Sequence, residues 1–311
     1  MPLPIEIVSV NVSSSKGTPK QPAGSIEVGP SGIAGDAHAG PWHRQVSLLG
    51  VESIDRFSQA AGRKVGPGEF AENITLRGAD LVSVAVLDRL RFGQVEIEVS
   101  QIGKECLGRG CAIFQSAGKC VMPEEGVFAR VVRGGTLRPG DRGEHLPREL
   151  SILIITLSDR AAAGLYADRS GPKIRELLEA FLAGKRWHPA IRSEVLPDDA
   201  GRLRAALDAA LAQGADAVFT TGGTGVGPRD ITPETVSAVC GKLLPGVMEH
   251  IRLKFGASKP AALLSRSVAG VAGTTQLYAL PGSVRAVEEY LGEILKTLEH
   301  TLFMLHGLDV H

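Results

Sequence analysis

The sequence predicts two domains: a mainly β, barrel-like first half and an α/β second half, a three-layer arrangement with helices on both faces of a mostly parallel sheet. Three observations lead there. The length of 311 residues suits two domains of ordinary size. Up to about residue 145, short β-like runs are punctuated by glycine and proline, as at Gly66-Pro67-Gly68 and Pro139-Gly140-Asp141. From Leu150 the pattern changes to continuous apolar runs alternating with amphipathic ones.

In the first half, residues 5–10, 46–49, 95–99 and 126–133 have strand composition. Residues 50–61 place Val51, Ile54, Phe57 and Ser58 near one face, which predicts a helix. The first domain is assigned to residues 1–145 and the second to 150–311. Residues 144–149 (E-H-L-P-R-E) are polar, contain Pro147 and separate two apolar regions, so they are read as the linker. Residues 152–157 are continuously apolar, as in a strand buried on both faces. Residues 173–182 align Ile174, Leu177, Leu178 and Phe181 on one helical face. A strand at 191–196 is followed by a helix at 202–211 with Leu203, Ala206, Leu207 and Ala210 inward. Residues 215–221 and 276–280 complete the strands, and 284–305 form a long amphipathic helix.

Composition narrows the function. A hydrophobic content of 43% supports packed cores, and a formal net charge of zero gives no basic face for nucleic acid. No apolar run reaches membrane-spanning length, and no signal-peptide pattern opens the chain, so a cytoplasmic protein is expected. Four cysteines in a chain this long do not make a disulfide framework.

The chemistry concentrates at residues 219–234, F-T-T-G-G-T-G-V-G-P-R-D-I-T-P-E. Gly222, Gly223, Gly225 and Gly227 remove side chains where backbone comes close to a partner. Thr220, Thr221 and Thr224 add hydroxyls, and Arg229 and Asp230 follow. Thr232-Pro233 reads as an N-cap with proline at N1, and Glu234 adds charge to the first turn. A strand thus ends in a glycine-rich loop that opens a helix, an arrangement that presents backbone N–H groups to phosphate. It is neither a P-loop nor a dinucleotide fingerprint, since both G-K-[ST] and G-x-G-x-x-G are absent from it.

In a parallel sheet the site lies beyond the carboxyl ends of the strands. That rule selects Ser158-Asp159-Arg160 with Asp168-Arg169-Ser170-Gly171, then Pro197-Asp198-Asp199, the glycine loop, and Pro281-Gly282-Ser283. Asp198 and Asp230 would repel phosphate unless Mg²⁺ bridged carboxylate and phosphate oxygens. No covalent nucleophile stands out, and nucleotidyl transfer needs none when a substrate phosphate oxygen attacks. Each acid also has a structural reading. Asp159 can pair with Arg160 or Arg169, Asp198 and Asp199 can cap a helix near Gly201, and Asp230 can pair with Arg229 or serve the Thr232 cap. The structural role is preferred for Asp159, and the chemical one for Asp198 and Asp230.

The first half holds two clusters. Asp36, His38 and His43 could ligate a metal, but a turn-stabilising Asp36 with polar loop histidines is preferred, and an anion loop using Arg44 is a third reading. Cys106 is flanked by Lys104 and Arg109, which favour thiolate. Cys111 precedes Ala112-Ile113-Phe114 and reads as a small hydrophobe, while a Zn or Fe–S site with Cys120 ranks behind.

Two resemblances follow. G-x-x-G-D-A-H, G-P-G-E-F-A-E-N-I, G-K-E-C and C-V-M-P-E-E-G-V-F-A-R-V-V-x-G-G-x-L-x-P-G-D occur in that order and resemble a MOSC domain over nearly the whole first half. That resemblance implies a β-rich fold tied to the molybdenum cofactor, with Cys106 as candidate molybdenum or sulfur ligand and Asn73 lining the cofactor groove. S-D-R, L-P-D-D, T-T-G-G-T-G with R-D-x-T-P-E, L-S-R-S at 264–267 and L-P-G-S resemble the MogA-type molybdopterin adenylyltransferases, which include the gephyrin G domain. The resemblance implies ATP- and Mg²⁺-dependent adenylylation of molybdopterin, with Asp198 and Asp230 serving Mg-nucleotide binding and catalysis. It further implies pterin or nucleotide contacts from Ser158, Asp168, Ser170, Gly171, the 220–225 loop, Arg229, Thr232, Ser265 and Pro281-Gly282-Ser283. A homotrimer, and partners such as a molybdate-insertion protein or molybdoenzymes, are implied in the same way. The alternatives are a cofactor carrier without catalysis, or a sulfur-handling first half with a loader domain.

Overall fold

The structure, a computed structural model, describes residues 3–78, 81, 83–105 and 120–308. The chain forms two units. One comprises residues up to Arg148 together with Arg186–His188, and the other Glu149–Lys185 together with residues from Pro189 onward. Among the described residues no helix is long and apolar enough to cross a membrane.

The first unit is built on β1 (Leu3–Val12), β2 (Gln21–Ala23), β3 (Ile26–Gly29), β4 (Gly32–Ile33), β5 (Val46–Gly50), β6 (Ile74–Arg77), β7 (Arg89–Phe92), β8 (Val95–Ile102), β9 (Val127–Arg133), β10 (Gly135–Leu137) and β11 (Arg142–Leu146). The larger sheet runs β11-β7-β8-β9-β5-β6-β1-β2, and β11 also pairs with β1, so the sheet closes into a barrel without free edges there. Ile7, Val46, Leu48, Ile74, Leu90 and Ile97 fill it. Helix α1 (Val51–Ala61) packs outside, with Phe57 edge-on to Phe70 at 5.0 Å between ring centroids. A short α2 (Met122–Glu125) precedes β9.

A polar hub lies within this unit. Asp36 is 6% exposed and accepts from Ser13 N (3.1 Å), Asn73 Nδ2 (2.9 Å), His38 N (2.9 Å) and the buried Lys20 ammonium. Burial alone would raise the Asp36 carboxyl, but the His38 and Lys20 hydrogen bonds and the Lys20 charge hold it well below the ordinary carboxylate range. Burial pulls the Lys20 ammonium down, against the pull of Asp36. The carboxylate has four donors, whereas the ammonium has Asp36 and His38 Nδ1 at 3.2 Å. The carboxylate is therefore the better compensated partner. Lys20→Met is expected to destabilise the first unit by about 3–5 kcal/mol, because it leaves a buried carboxylate without its counter-charge. Urea unfolding of the full chain checks this, and an unchanged first transition would rule it out. The Asp36 contribution has the sign of a depressed carboxylate. It is complete above the unfolded pKa and lost as pH falls through the lower folded value.

The second unit contains β12 (Glu149–Leu157), β13 (His188–Leu196), β14 (Ala217–Thr221), β15 (Lys242–Leu243), β16 (Val268–Ala272) and β17 (Thr275–Leu280), ordered β13-β12-β14-β17-β16-β15. The pairings β12–β14 and β14–β17 are parallel, while β17–β16 and β16–β15 are antiparallel. The reversal has a local cause. Ala272 pairs with Thr275, leaving a two-residue connection whose Gly273 has φ +58°, and so short a loop joins only antiparallel strands. Helices α3 (Asp159–Ala162), α4 (Ser170–Leu182), α5 (Ala200–Ala212), α6 (Thr232–Ser237), α7 (Pro245–Gly256) and α8 (Val284–Leu305) flank the sheet. Leu153, Ile155, Val218, Leu277 and Ala279 pack with Leu203 and Leu207 of α5 and Val236 of α6. The alternate residues, such as Phe219 and Tyr278 (stacked at 5.2 Å), point to the other face. The layers are therefore those expected.

The two units part between Arg148 and Glu149, inside the stretch 144–149 read as the linker, but the connection is shorter than that stretch. Glu144 to Leu146 belong to β11 and Glu149 opens β12, so only Pro147 and Arg148 separate the two strands. His145 is buried opposite Leu90, which is why this polar stretch is strand.

Candidate active site

The parallel register sets Thr156 beside Thr221, and Thr221 beside Leu280, so three strands end level and their following loops share one end of the sheet. After β12, Ser158 caps α3 by accepting from Ala161 N at 3.2 Å. Asp168 ties the start of α4 to the end of β12. Its Oδ1 accepts from Ser170 N (3.0 Å), Ser170 Oγ (3.1 Å) and Gly171 N (3.2 Å), and its Oδ2 accepts from the Thr156 hydroxyl (2.7 Å). After β17, Ser283 caps α8 by accepting from Ala286 N at 3.3 Å. Together with Arg169 and Gly282, these loops border a cavity of about 430 Å³.

The glycine loop packs against those strand ends. Gly222 has φ +104°, and a Cβ there would sit 2.3 Å from the Leu157 carbonyl oxygen. A Cβ on Gly282 would in turn lie 3.3 Å from the Gly222 Cα. Asp230 Oδ2 accepts from Gly227 N at 2.7 Å, and a Cβ on Gly225 or Gly227 would lie 2.8 or 2.9 Å from that same oxygen. These two glycines therefore make room for the carboxylate. A Cβ on Gly223 would lie 3.7 Å from Asp198 Oδ1, so Asp198 borders the same loop.

Thr232 is not the N-cap that its place before Pro233 suggests. It is the first residue of α6, and its hydroxyl donates to the Gly222 carbonyl at 2.8 Å. The tight loop draws it inward. Thr220 and Thr221 are buried at the end of β14. Thr221 donates to the Pro281 carbonyl at 2.9 Å, whereas the Thr220 hydroxyl has no hydrogen-bond partner among the described residues. Thr224 is buried, and the Ser265 hydroxyl pairs with that of Ser267 at 2.8 Å.

Asp159 does not pair with Arg160 or Arg169. Its Oδ2 accepts from Arg229 at 3.0 Å, its Oδ1 from Asp198 N at 3.0 Å, and its own N–H donates to Asp198 Oδ2 at 3.3 Å. Arg160 instead lies over the Tyr166 ring. Asp159 therefore links three of the converging loops, a role hidden in sequence because the partners are 39 and 70 residues away. The helix cap after Asp198 is Asp199, which accepts from Arg202 N at 2.8 Å. Arg266 was also missed. Its Nε donates to the Gly225 carbonyl (2.6 Å), its N–H to Thr224 (2.9 Å) and a terminal nitrogen to the Asp230 carbonyl (2.7 Å), and it pairs with Glu234. The available signal was an arginine inside L-S-R-S.

In the first unit, Cys106 and Cys111 lie outside the described residues. Asn73, expected to line a groove, is fully buried. It donates to Asn11 O (3.1 Å) and Asp36 and accepts from Ser47 Oγ at 2.9 Å. Asp36 has both oxygens engaged in the hub described above, consistent with the turn-stabilising reading. Arg44 lies over Trp42, 4.9 Å from the ring centroid.

The family model of the MOSC domain matches residues 35–144, and that of a probable molybdopterin binding domain matches residues 153–300. The molybdopterin adenylyltransferase of Helicobacter pylori strain J99 is 33% identical over 160 residues, which is 51% of this chain and 89% of that protein. The chain belongs to the molybdopterin adenylyltransferase family. Another similar protein is the molybdenum cofactor biosynthesis bifunctional protein of Synechococcus elongatus, 37% identical over 50% of this chain and 47% of its own length. The chain thus spans about half the length of such bifunctional relatives. A solved molybdopterin biosynthesis protein from Mycobacterium abscessus aligns at 32% identity and a TM-score of 0.46, over 51% of this chain and 98% of that one. The segment matched by the probable molybdopterin binding domain model contains the glycine loop, Asp198 and Asp230.

Proposed function

We propose that the second unit transfers the adenylyl group of ATP to the terminal phosphate of molybdopterin. The observation that carries this reading is that Asp198 and Asp230 border one glycine loop, at the sheet end that also holds the cavity beside Ser158 and Ser283. An oxygen of the molybdopterin phosphate attacks the α-phosphorus of ATP, the bond from that phosphorus to the bridging oxygen breaks, and pyrophosphate leaves. The chain supplies no nucleophile. Its residues position the reacting phosphates and set the charge around them. Glycine backbone lets phosphate approach, and Ser158, Ser170 and Ser283 line the cavity. Two carboxylates beside such a loop fit Mg²⁺, which, held by Asp198 and Asp230, would neutralise phosphate charge. The first unit is the part that binds or receives the cofactor, with Cys106 as its candidate molybdenum ligand. Homotrimer formation and delivery to an insertion protein or molybdoenzyme belong to the same reading.

The test is incubation of the full chain with molybdopterin, ATP and Mg²⁺, followed by mass detection of adenylylated pterin. Product is expected from the wild type, with a loss of at least about 100-fold in Asp198→Ala. Tight pterin binding without product would replace this reading with the carrier.

A further inference from the structure

We propose that Asp88, His145 and His188 form a binding site for one divalent transition-metal ion of the zinc class. All three belong to the first unit, where the chain segment Arg186–His188 is grouped although His188 is also the first residue of β13. Asp88 directly precedes β7, and His145 lies in β11 opposite Leu90, so strand pairing places the two side by side. His188 follows Arg186, whose guanidinium donates to the Leu81 and Glu124 carbonyls of the same unit. The ligand atoms of the three side chains all lie within 4.8 Å of one another.

The contacts bring one carboxylate oxygen and two imidazole nitrogens together as a ligand set. Asp88 Oδ1 accepts from Arg148 N at 2.8 Å. Oδ2 faces three nitrogens: Ala85 N at 2.8 Å, His145 Nε2 at 2.7 Å and His188 Nε2 at 3.0 Å. Both imidazoles turn Nε2 toward the same carboxylate oxygen, and a neutral imidazole can present that nitrogen as a lone pair instead of a donor. An ion among Oδ2 and the two Nε2 atoms would take all three as ligands. Both imidazoles then offer lone pairs, and Ala85 keeps its hydrogen bond. Two imidazoles and one carboxylate suit zinc-class ions and leave a coordination position open. Zinc–nitrogen bonds of about 2.0–2.1 Å set neighbouring tetrahedral ligands roughly 3.3 Å apart, so the side chains need separate only by tenths of an ångström. The side chains of Asp88 and His145 are 0% and 1% exposed, while that of His188 is 29% exposed. The ion would therefore enter from the His188 side, where water completes its shell.

The full chain, stripped with a chelator, is titrated with Zn²⁺, and the zinc-loaded protein is studied by X-ray absorption. One tightly held equivalent is expected, with a nitrogen/oxygen shell at about 2.0–2.1 Å and outer-shell scattering from two imidazoles. In His188→Ala, chosen because that side chain is partly exposed, affinity is expected to fall more than about 10-fold. Failure of the wild type to retain Zn²⁺, a shell dominated by sulfur at about 2.3 Å, or undiminished affinity in His188→Ala would each overturn the site. The first two outcomes are read on wild-type protein and do not depend on a variant folding.

Discussion

Asp230→Asn is expected to lower adenylyl transfer by at least about 100-fold while leaving the thermal unfolding of the chain unchanged. The two effects separate because of what Asp230 touches. Its Oδ2 accepts from Gly227 N at 2.7 Å, and its main-chain carbonyl accepts from Arg266. Asparagine keeps the carbonyl and can orient its own side-chain oxygen toward Gly227, so the loop keeps its shape. What disappears is the negative charge, the property a phosphate-bridging cation requires. Steady-state rates at saturating ATP and pterin, beside a melting curve, decide the matter. A wild-type rate would remove Asp230 from the chemistry and leave it as a loop fastener.

Gly222→Ala is expected to destabilise the second unit by about 3 kcal/mol or more. Two independent causes add. Its φ of +104° lies in a region that side-chain-bearing residues rarely adopt, and the new Cβ would be 2.3 Å from the Leu157 carbonyl oxygen, a main-chain atom that cannot swing aside. Moving Leu157 would disturb β12, whose register with β14 levels the strand ends. Gly292 of α8 provides the contrast. A Cβ there meets nothing within 4 Å, and its φ is not positive, so Gly292→Ala should stabilise the helix by about 0.5–1 kcal/mol. Calorimetry of both variants provides the check. Equal melting behaviour would show that the loop yields where its packing says it cannot.

What could be read from the sequence divides along physical lines. Helix α8 was placed at residues 284–305 because its apolar spacing persists over many turns, and the buried residues Val287, Leu291, Ile294 and Leu298 follow that spacing. Strand β12 is legible because Ile152 to Ile155 run apolar without a break, as burial on both faces requires. Helix α7 was missed. It buries only Met248, Ile251 and Gly256, and leaves Leu253 71% exposed, so its pattern blurs, although Pro245 at its start was a usable signal. Within the site, glycines and carboxylates were legible because few other roles explain them together. Asp159, Thr156 and Arg266 were not, because each acts through partners distant in sequence. Lys20 has the same explanation. Nothing around it in the chain marks it for burial, and its partner Asp36 becomes adjacent only when the barrel closes.

Arg266 has a consequence for the thermodynamics of ligand capture. It fastens the backbone of Thr224, Gly225 and Asp230 at three separate points. A loop with so many glycines would otherwise lose about 1–2 kcal/mol of conformational freedom per residue on becoming ordered around a ligand. Here that loss occurs during folding. The phosphates meet a mould already set, and their attraction to it goes into affinity and alignment rather than into ordering the chain.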